Sequence, residues 1–233
     1  MSGTTTEFNP QWVQKARQGD QDAIRALYQH AYRPVYLTIK SMLKGDEDTI
    51  LDLVQDTFLK AFDNLGQLSD PNSFNAWIKA IARNQARDWL KKCKPVLFSA
   101  LSSQDQAVST LQLEDDDIYH LPEAVVDRQE TARLVDDILD SLSESQRMAI
   151  GMFYYQDMSV KQVAREMGVR PGTVKALLSQ GRQRIRSKVE ELERQGTKLY
   201  GLSPVGFLLW TLRDCPVAPD DSILSRLLNH TGV

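Results

Sequence analysis

From Ser159 to Arg186 the residues fix local geometry more tightly than anywhere else in the chain. Ser159-Val160-Lys161-Gln162 has the spacing of a capping box. The serine oxygen accepts an orphan N–H of the first turn, and the glutamine reaches back to the cap. Met158 and Val163 are spaced for a hydrophobic staple. Val163 and Ala164 then face inward on a helix that reaches Met167. Gly168 stands where a helix C-cap needs positive φ, and Val169 plugs the turn. Pro171 suits the first turn of a second helix, whose inner side is Val174, Leu177 and Leu178. The outer residues are Arg170, Pro171, Thr173, Lys175, Ser179, Gln180, Arg182, Gln183 and Arg186. This is a helix-turn-helix. Its second helix enters the major groove, with polar residues near its start reading bases and arginines further along gripping phosphates. A core hairpin with a solvated basic face is the other use of such a pattern. The coincidence of cap, staple, glycine turn and basic second helix favours DNA.

The rest of the chain repeats the helical period, with no alternation of period two in its first half. Asn9-Pro10 caps and opens a helix with Trp12, Val13 and Ala16 on one side. Asp20 opens a longer one bearing Ala23, Ile24, Leu27, Tyr28, Ala31 and Tyr32, which Pro34 kinks or splits. A third runs from about Asp48 to Leu65, with Ile50, Leu51, Val54, Phe58, Ala61, Phe62 and Leu65 inward. A loop at Gly66–Asp70 leads to a fourth, from about Pro71 to before Pro95, that buries Phe74, Trp77, Ile78, Ile81 and Trp89. Helical spacing returns at Pro122 and runs to Asp140. Ser143-Glu144-Ser145-Gln146 is a second capping box, ahead of Met148, Ala149, Met152 and Phe153. The expectation is an all-α chain of two small helical domains. One spans residues 10–95 and the other 122–195, joined by an acidic linker at 96–121 and followed by a helical extension at 196–233.

Charge follows the same division. The formal net charge is only −3, but Ser69–Phe98 carries +4 and Ser159–Lys198 carries +6, while Ser99–Glu130 carries −7. Polyanion binding depends on local field, so the mild average does not argue against nucleic acid. On the fourth helix Lys79, Arg83, Asn84, Arg87 and Lys91 share a polar side near Trp77. Positive charge grips phosphate there, asparagine reads a base edge, and an aromatic ring either stacks a splayed base or joins the core. On the third helix Asp52, Asp56 and Asp63 lie on a polar face opposite the apolar stripe, with Gln55 and Lys60 nearby. That face fits a basic helical partner, or is simply solvated.

Other functions find no footing. Cys93 and Cys215 make neither a disulfide scaffold nor a cysteine-rich zinc site. His30, His120 and His230 are scattered without metal spacing. There is no phosphate-cradling glycine loop and no nucleophile elbow. The reading is of a protein that is not an enzyme, takes no cofactor, carries no secretory leader and inserts in no membrane. Its expected place is the cytoplasm.

The two motif sets resemble one family. SVKQVAREMGVRPGTVKALLSQGRQRIR is similar to region 4 of bacterial sigma factors of the extracytoplasmic-function type, and LDSLSESQRMAIGMFYYQDM to the helix before it. GDQDAIRALYQHAY resembles the opening of region 2. LDLVQDTFLKAF resembles the helix that binds the polymerase clamp helices, and FNAWIKAIARNQARDWLKK the promoter-melting and minus-ten helix. The resemblance implies a subunit that binds core RNA polymerase (clamp helices and flap), directs it to promoters and assists melting. Asp52, Gln55 and Asp56 would touch the clamp. Asn72, Ser73, Trp77, Lys79, Arg83, Asn84, Arg87 and Lys91 would contact the minus-ten region, with the loop Gly66–Asn72 pocketing a flipped base of the melted single strand. The second helix of the helix-turn-helix would read duplex DNA at minus thirty-five. The acidic linker resembles region 3.2, threading towards the active-site cleft, or is a plain tether. An anti-sigma partner is also implied.

The pattern departs from relatives at Leu177, where many carry a basic residue, at Ser179-Gln180 in place of His-Arg, and at Gly181 in place of Ala. Minus-thirty-five preference should therefore differ. Two other classes compete: a stand-alone helix-turn-helix regulator, which has no need of Asp52, Gln55 and Asp56, and a sigma-like antagonist, which has no need of Arg83, Asn84, Lys175 and Arg182. The extension carries two apolar stripes, Val205, Leu208, Leu209 and Leu212, then Ile223, Leu224, Leu227 and Leu228. These either extend the core of the C-terminal domain or fold back on region 2 or region 4 to regulate access.

Overall fold

The computed structural model describes residues 8–93, 136–195 and 217–231, and these are helical with no strand among them. They fall into two compact units, one holding residues up to Lys40, 45–89 and 217 onward, the other the remainder. The linker at 96–121 and the stripe at Val205–Leu212 lie outside the described residues.

The first unit holds α1 (Gln11–Ala16), α3 (Glu47–Asp63) and all but the last residues of α2 (Gln21–Met42) and α4 (Phe74–Cys93). The Asn9 side chain accepts from Gln11 N (2.9 Å), and Asp20 accepts from Ala23 N (3.0 Å), so each helix begins on its own cap. Helix α2 runs unbroken through Pro34 rather than splitting. A proline forfeits one backbone bond, but Ala31, Tyr32, Val35, Tyr36 and Leu37 around it are all buried. Their packing holds the helix together across the gap.

The cap of α3 is Asp46, ahead of the expected start, accepting from Thr49 N at 2.8 Å. Those hydrogen bonds, that with Thr49's side chain foremost, hold the Asp46 carboxyl below its usual range. Tyr36 OH donates to Glu47 Oε1 (2.8 Å) and so ties α2 to α3. Tyr28 packs on Phe58 with ring centroids 4.8 Å apart.

The inner face of α4 differs from the apolar reading. Phe74 and Ile78 are buried as expected, but the stripe continues through Ala82, Ala86 and Leu90, while Trp77, Ile81 and Trp89 are only half-buried. The buried residues recur every fourth position, and small alanines let α4 lie close to its neighbours. Likewise Leu53 joins the α3 core, whereas Leu51 and Phe62 are half-exposed.

In the second unit, residues 136–141 are helical, α5 spans Glu144–Ile150, a π-helical turn Gly151–Tyr155 follows, and α6 (Val160–Met167) and α7 (Pro171–Arg194) complete it. Both capping boxes are formed, Ser143 with Gln146 and Ser159 with Gln162. Arg147 is buried to 3% exposure and pairs with Asp140 at 2.9 Å. Burial lowers its guanidinium pKa and the Asp140 pair opposes that. A last helix, α8 (Asp221–Thr231), belongs with the first unit and packs on α3, not in the core of the C-terminal unit.

Candidate nucleic-acid and protein interfaces

The turn between α6 and α7 is built by local rules. Gly168 adopts φ 68°, ψ 32°, and Val169 N donates to Ala164 O at 3.0 Å, closing the end of α6. Arg170 is extended (φ −75°, ψ 149°), and Pro171 opens α7 with its missing N–H where none is needed. Val163, Ala164, Met167, Val174, Leu177 and Leu178 form the seam between the two helices. Leu177 thus belongs to the core, and a basic side chain is absent there from a buried position, not from the outer surface.

Along the outer face of α7, Lys175, Gln180, Gln183 and Arg186 are exposed, as are Arg170 and Pro171 at its start, while Thr173 and Ser179 are half-buried. Arg182 and Gln180 each meet a residue outside α7. Arg182 donates to Tyr154 OH at 3.2 Å, and Gln180 Oε1 accepts from Gln146 Nε2 at 3.5 Å. Both lie on the flanks of α7, facing the preceding helix and turn. Gly181 has a packing reason: a Cβ there would lie 3.0 Å from Ile150 Cγ1, so a larger residue would press α7 off α5.

On α4 the basic candidates also recur every fourth residue. Lys79, Arg83, Arg87 and Lys91 each follow a member of the buried stripe, so they form a ribbon along its edge. Lys91 is exposed and the others half-buried, Asn84 included; Arg87 Nε also reaches Asp88 Oδ1 at 3.3 Å. Trp77 sits at the same end as Phe74, ring centroids 6.3 Å apart, and is half-buried.

The loop before α4 is a constructed turn. Leu65 and Leu68 are buried anchors. Arg17, from the end of α1, donates from Nε to Leu65 O at 3.1 Å and from Nη2 to Leu68 O. Asp70 accepts from Asn72 N (3.0 Å), Asn72 Nδ2 (3.0 Å) and Ser73 Oγ (2.9 Å), bonds that hold its carboxyl below the usual range, the Asn72 backbone bond first. Gly66, Gln67, Ser69, Asp70, Asn72 and Ser73 are all exposed on this framework.

On α3, Asp52 and Asp56 are exposed, and Gln55 is half-buried and accepts from Arg226 of α8 at 2.7 Å. The first unit therefore offers an acidic helix face and a basic ribbon; the second offers a helix-turn-helix.

Known proteins show the same pairing in the same order. The profile of Sigma-70 region 2 matches residues 27–94, and that of Sigma-70, region 4 matches residues 132–185. The ECF RNA polymerase sigma factor SigL of Mycobacterium tuberculosis is 30% identical over 171 residues, 72% of this chain and 90% of that protein. This chain belongs to the sigma-70 family of transcription initiation factors, in its extracytoplasmic-function group. The ECF RNA polymerase sigma factor SigW of Bacillus subtilis is 24% identical over 182 residues, 77% of this chain and 96% of that protein. The "Probable RNA polymerase sigma factor RfaY" of Xanthomonas campestris is 29% identical over 153 residues, and there the chain covers only 36% of the relative's length.

Within this sigma factor, most of α2 and all of α3 and α4 fall in region 2, and α5 to most of α7 in region 4; α8 lies outside both profiles. Residues that sequence reasoning passed over now have places. Lys161 and Arg165 are exposed on α6, the helix that in a helix-turn-helix crosses the DNA backbone. Their charge was countable but their side of α6 was not. Exposed Gly172 and half-buried Ala176 share the open face of α7 with Lys175, and their small size leaves room for close approach to a groove. Arg17 is a positioning residue for the loop at Leu65–Leu68, and only the fold reveals it.

Proposed function

We propose that this sigma factor binds core RNA polymerase through the acidic face of α3, at Asp52, Gln55 and Asp56, and reads two promoter elements with its two units. Residues 10–95 act as the region 2 domain, residues 122–195 as the region 4 domain, and 96–121 as an acidic tether. Lys79, Arg83, Arg87 and Lys91 hold the backbone of melted minus-ten DNA. Asn84, Trp77 and the turn carrying Asn72 and Ser73 meet its exposed bases. Lys175, Ser179, Gln183 and Arg186 meet the minus-thirty-five major groove, with Arg170, Thr173, Gln180 and Arg182 at its edges. It does no chemistry itself, works in the cytoplasm, and in the cell is held by an anti-sigma protein.

One observation carries this reading. A single chain presents an exposed acidic helix face and a basic ribbon, together with a helix-turn-helix in its other unit. A stand-alone regulator needs only the last. The test is capture of purified bacterial core polymerase by the wild-type chain and by Asp52→Arg/Asp56→Arg. Stable binding lost in the double variant supports the reading. Equal capture by both forms removes α3 from the interface.

A further inference from the structure

Helix α8 is joined to the first unit by bonds that point at one place. Asp220 caps it, accepting from Ser222 N at 2.8 Å, and the Asp220 carbonyl accepts from Tyr28 OH at 2.7 Å. Ile223, Leu224 and Leu227 turn inward, at 4%, 3% and 0% exposure. These three lie on a single stripe, the apolar side by which the helix docks. The polar bonds add what burial does not, which is register. Arg226 donates to Gln55 Oε1 (2.7 Å), His230 Nε2 meets Asp63 Oδ1 (2.9 Å), and Gln21 Nε2 donates to Leu228 O (3.2 Å). Arg226 and His230 are themselves exposed. A helix bearing an arginine and a histidine thus sits against the side of α3 that also carries Asp52 and Asp56.

That is the chemistry an acidic docking face selects in a partner. We propose that α8 is a built-in competitor for the α3 surface, a tail helix that takes up the edge of the docking face at Gln55 in cis, beside the exposed Asp52 and Asp56, and holds this sigma factor back from core polymerase until it is released. The inference rests on α3 being the polymerase-binding face. Docked and released forms exchange, and the apparent affinity for polymerase falls by the fraction of chains in the released form. A bound polymerase or any ligand of α8 shifts that fraction.

The test is the affinity of full-length chains for core bacterial RNA polymerase, with circular dichroism melts as the check on folding. Leu227→Asp places a charge in the docked stripe. Arg226→Ala/His230→Ala leaves the stripe intact and removes only the two side-chain bonds to α3. The expected result is about tenfold or greater tightening for Leu227→Asp and a smaller tightening for the polar pair. Folded Leu227→Asp with wild-type or weaker affinity, while Asp52→Arg/Asp56→Arg abolishes binding, overturns the competitor and leaves the α3 reading standing. If Leu227→Asp does not fold, unchanged affinity in the polar pair overturns it. Absence of binding by every form refutes the α3 reading and the competitor with it.

Discussion

Gly168 and Gly172 flank the same turn, and alanine at each should move stability in opposite directions. A Cβ at either position meets nothing within 4 Å, so neither change is a matter of space. What differs is the backbone. Gly168 holds φ +68°, a left-handed conformation that costs an L-residue about 1–2 kcal/mol. Gly172 lies in the first turn of α7 and is not among the positive-φ glycines of the described residues. There alanine saves backbone entropy, a gain of about 0.5–1 kcal/mol. With a urea slope of about 1.5 kcal/mol per molar, Gly168→Ala should lower the unfolding midpoint by roughly 1 M and Gly172→Ala should raise it by a few tenths. Gly168→Asn should recover part of the loss, because asparagine tolerates the left-handed region. Urea unfolding followed by circular dichroism and by hydrogen exchange of α6 and α7 reads all three. A Gly168→Ala protein as stable as wild type, or two alanine variants shifted the same way, would refute the argument from backbone conformation.

Other predictions follow from packing and charge. Gly181→Ala should bring no more than a fraction of the roughly 1 kcal/mol expected from helix propensity, because the new methyl presses on Ile150; a full gain in a thermal melt would deny that contact. Lys161→Ala/Arg165→Ala, assembled with polymerase, should weaken binding uniformly across promoter fragments and reduce the salt slope by about 2. A sequence-selective loss would instead place these residues on bases. Above pH 10 the first unit should lose stability. Burial raises Tyr28 and pushes Tyr32 up to about 12, so the folded state keeps protons that the unfolded chain gives up near 10. Stability conferred by Tyr32 is whole below pH 10 and drains between 10 and about 12, and Tyr32→Phe should flatten that part of the pH profile of urea midpoints.

What was legible in the sequence was written in neighbours. Ser143 with Gln146, Ser159 with Gln162, Gly168 and Pro171 act over one helical turn, and each does in the fold what its spacing suggested. The core stripe of α4 was only half legible. Both Trp89 and Ala86 lie on apolar-looking lines, and which line turns inward depends on how closely the next helix approaches, a property of the partner and not of the segment. Residues whose role lies across the chain were not legible. Arg17 reaches Leu65 and Leu68, 48 and 51 positions away, and nothing in its own surroundings marks it. Arg147 is buried and bonded to Asp140, and nothing in its own segment marks it for that. The tail stripe announced that α8 must pack somewhere. That it packs on α3, where Arg226 meets Gln55 171 residues away, was not legible. Candidate residues were legible as chemistry, because basic and acidic blocks are visible in one dimension. That Gln180 and Arg182 are held by Gln146 and Tyr154 was not.

The central claim is that this chain gives core polymerase its promoters. Core polymerase should be supplied with fragments of bacterial genomic DNA, with and without the protein, and the 5′ ends of the transcripts mapped. The account predicts discrete new start sites that appear only with the protein, vanish with Asp52→Arg/Asp56→Arg, and weaken with Lys175→Ala/Arg186→Ala. Start sites unchanged by the protein, together with selective duplex binding by the protein alone, would contradict it and make this chain a regulator that acts without polymerase.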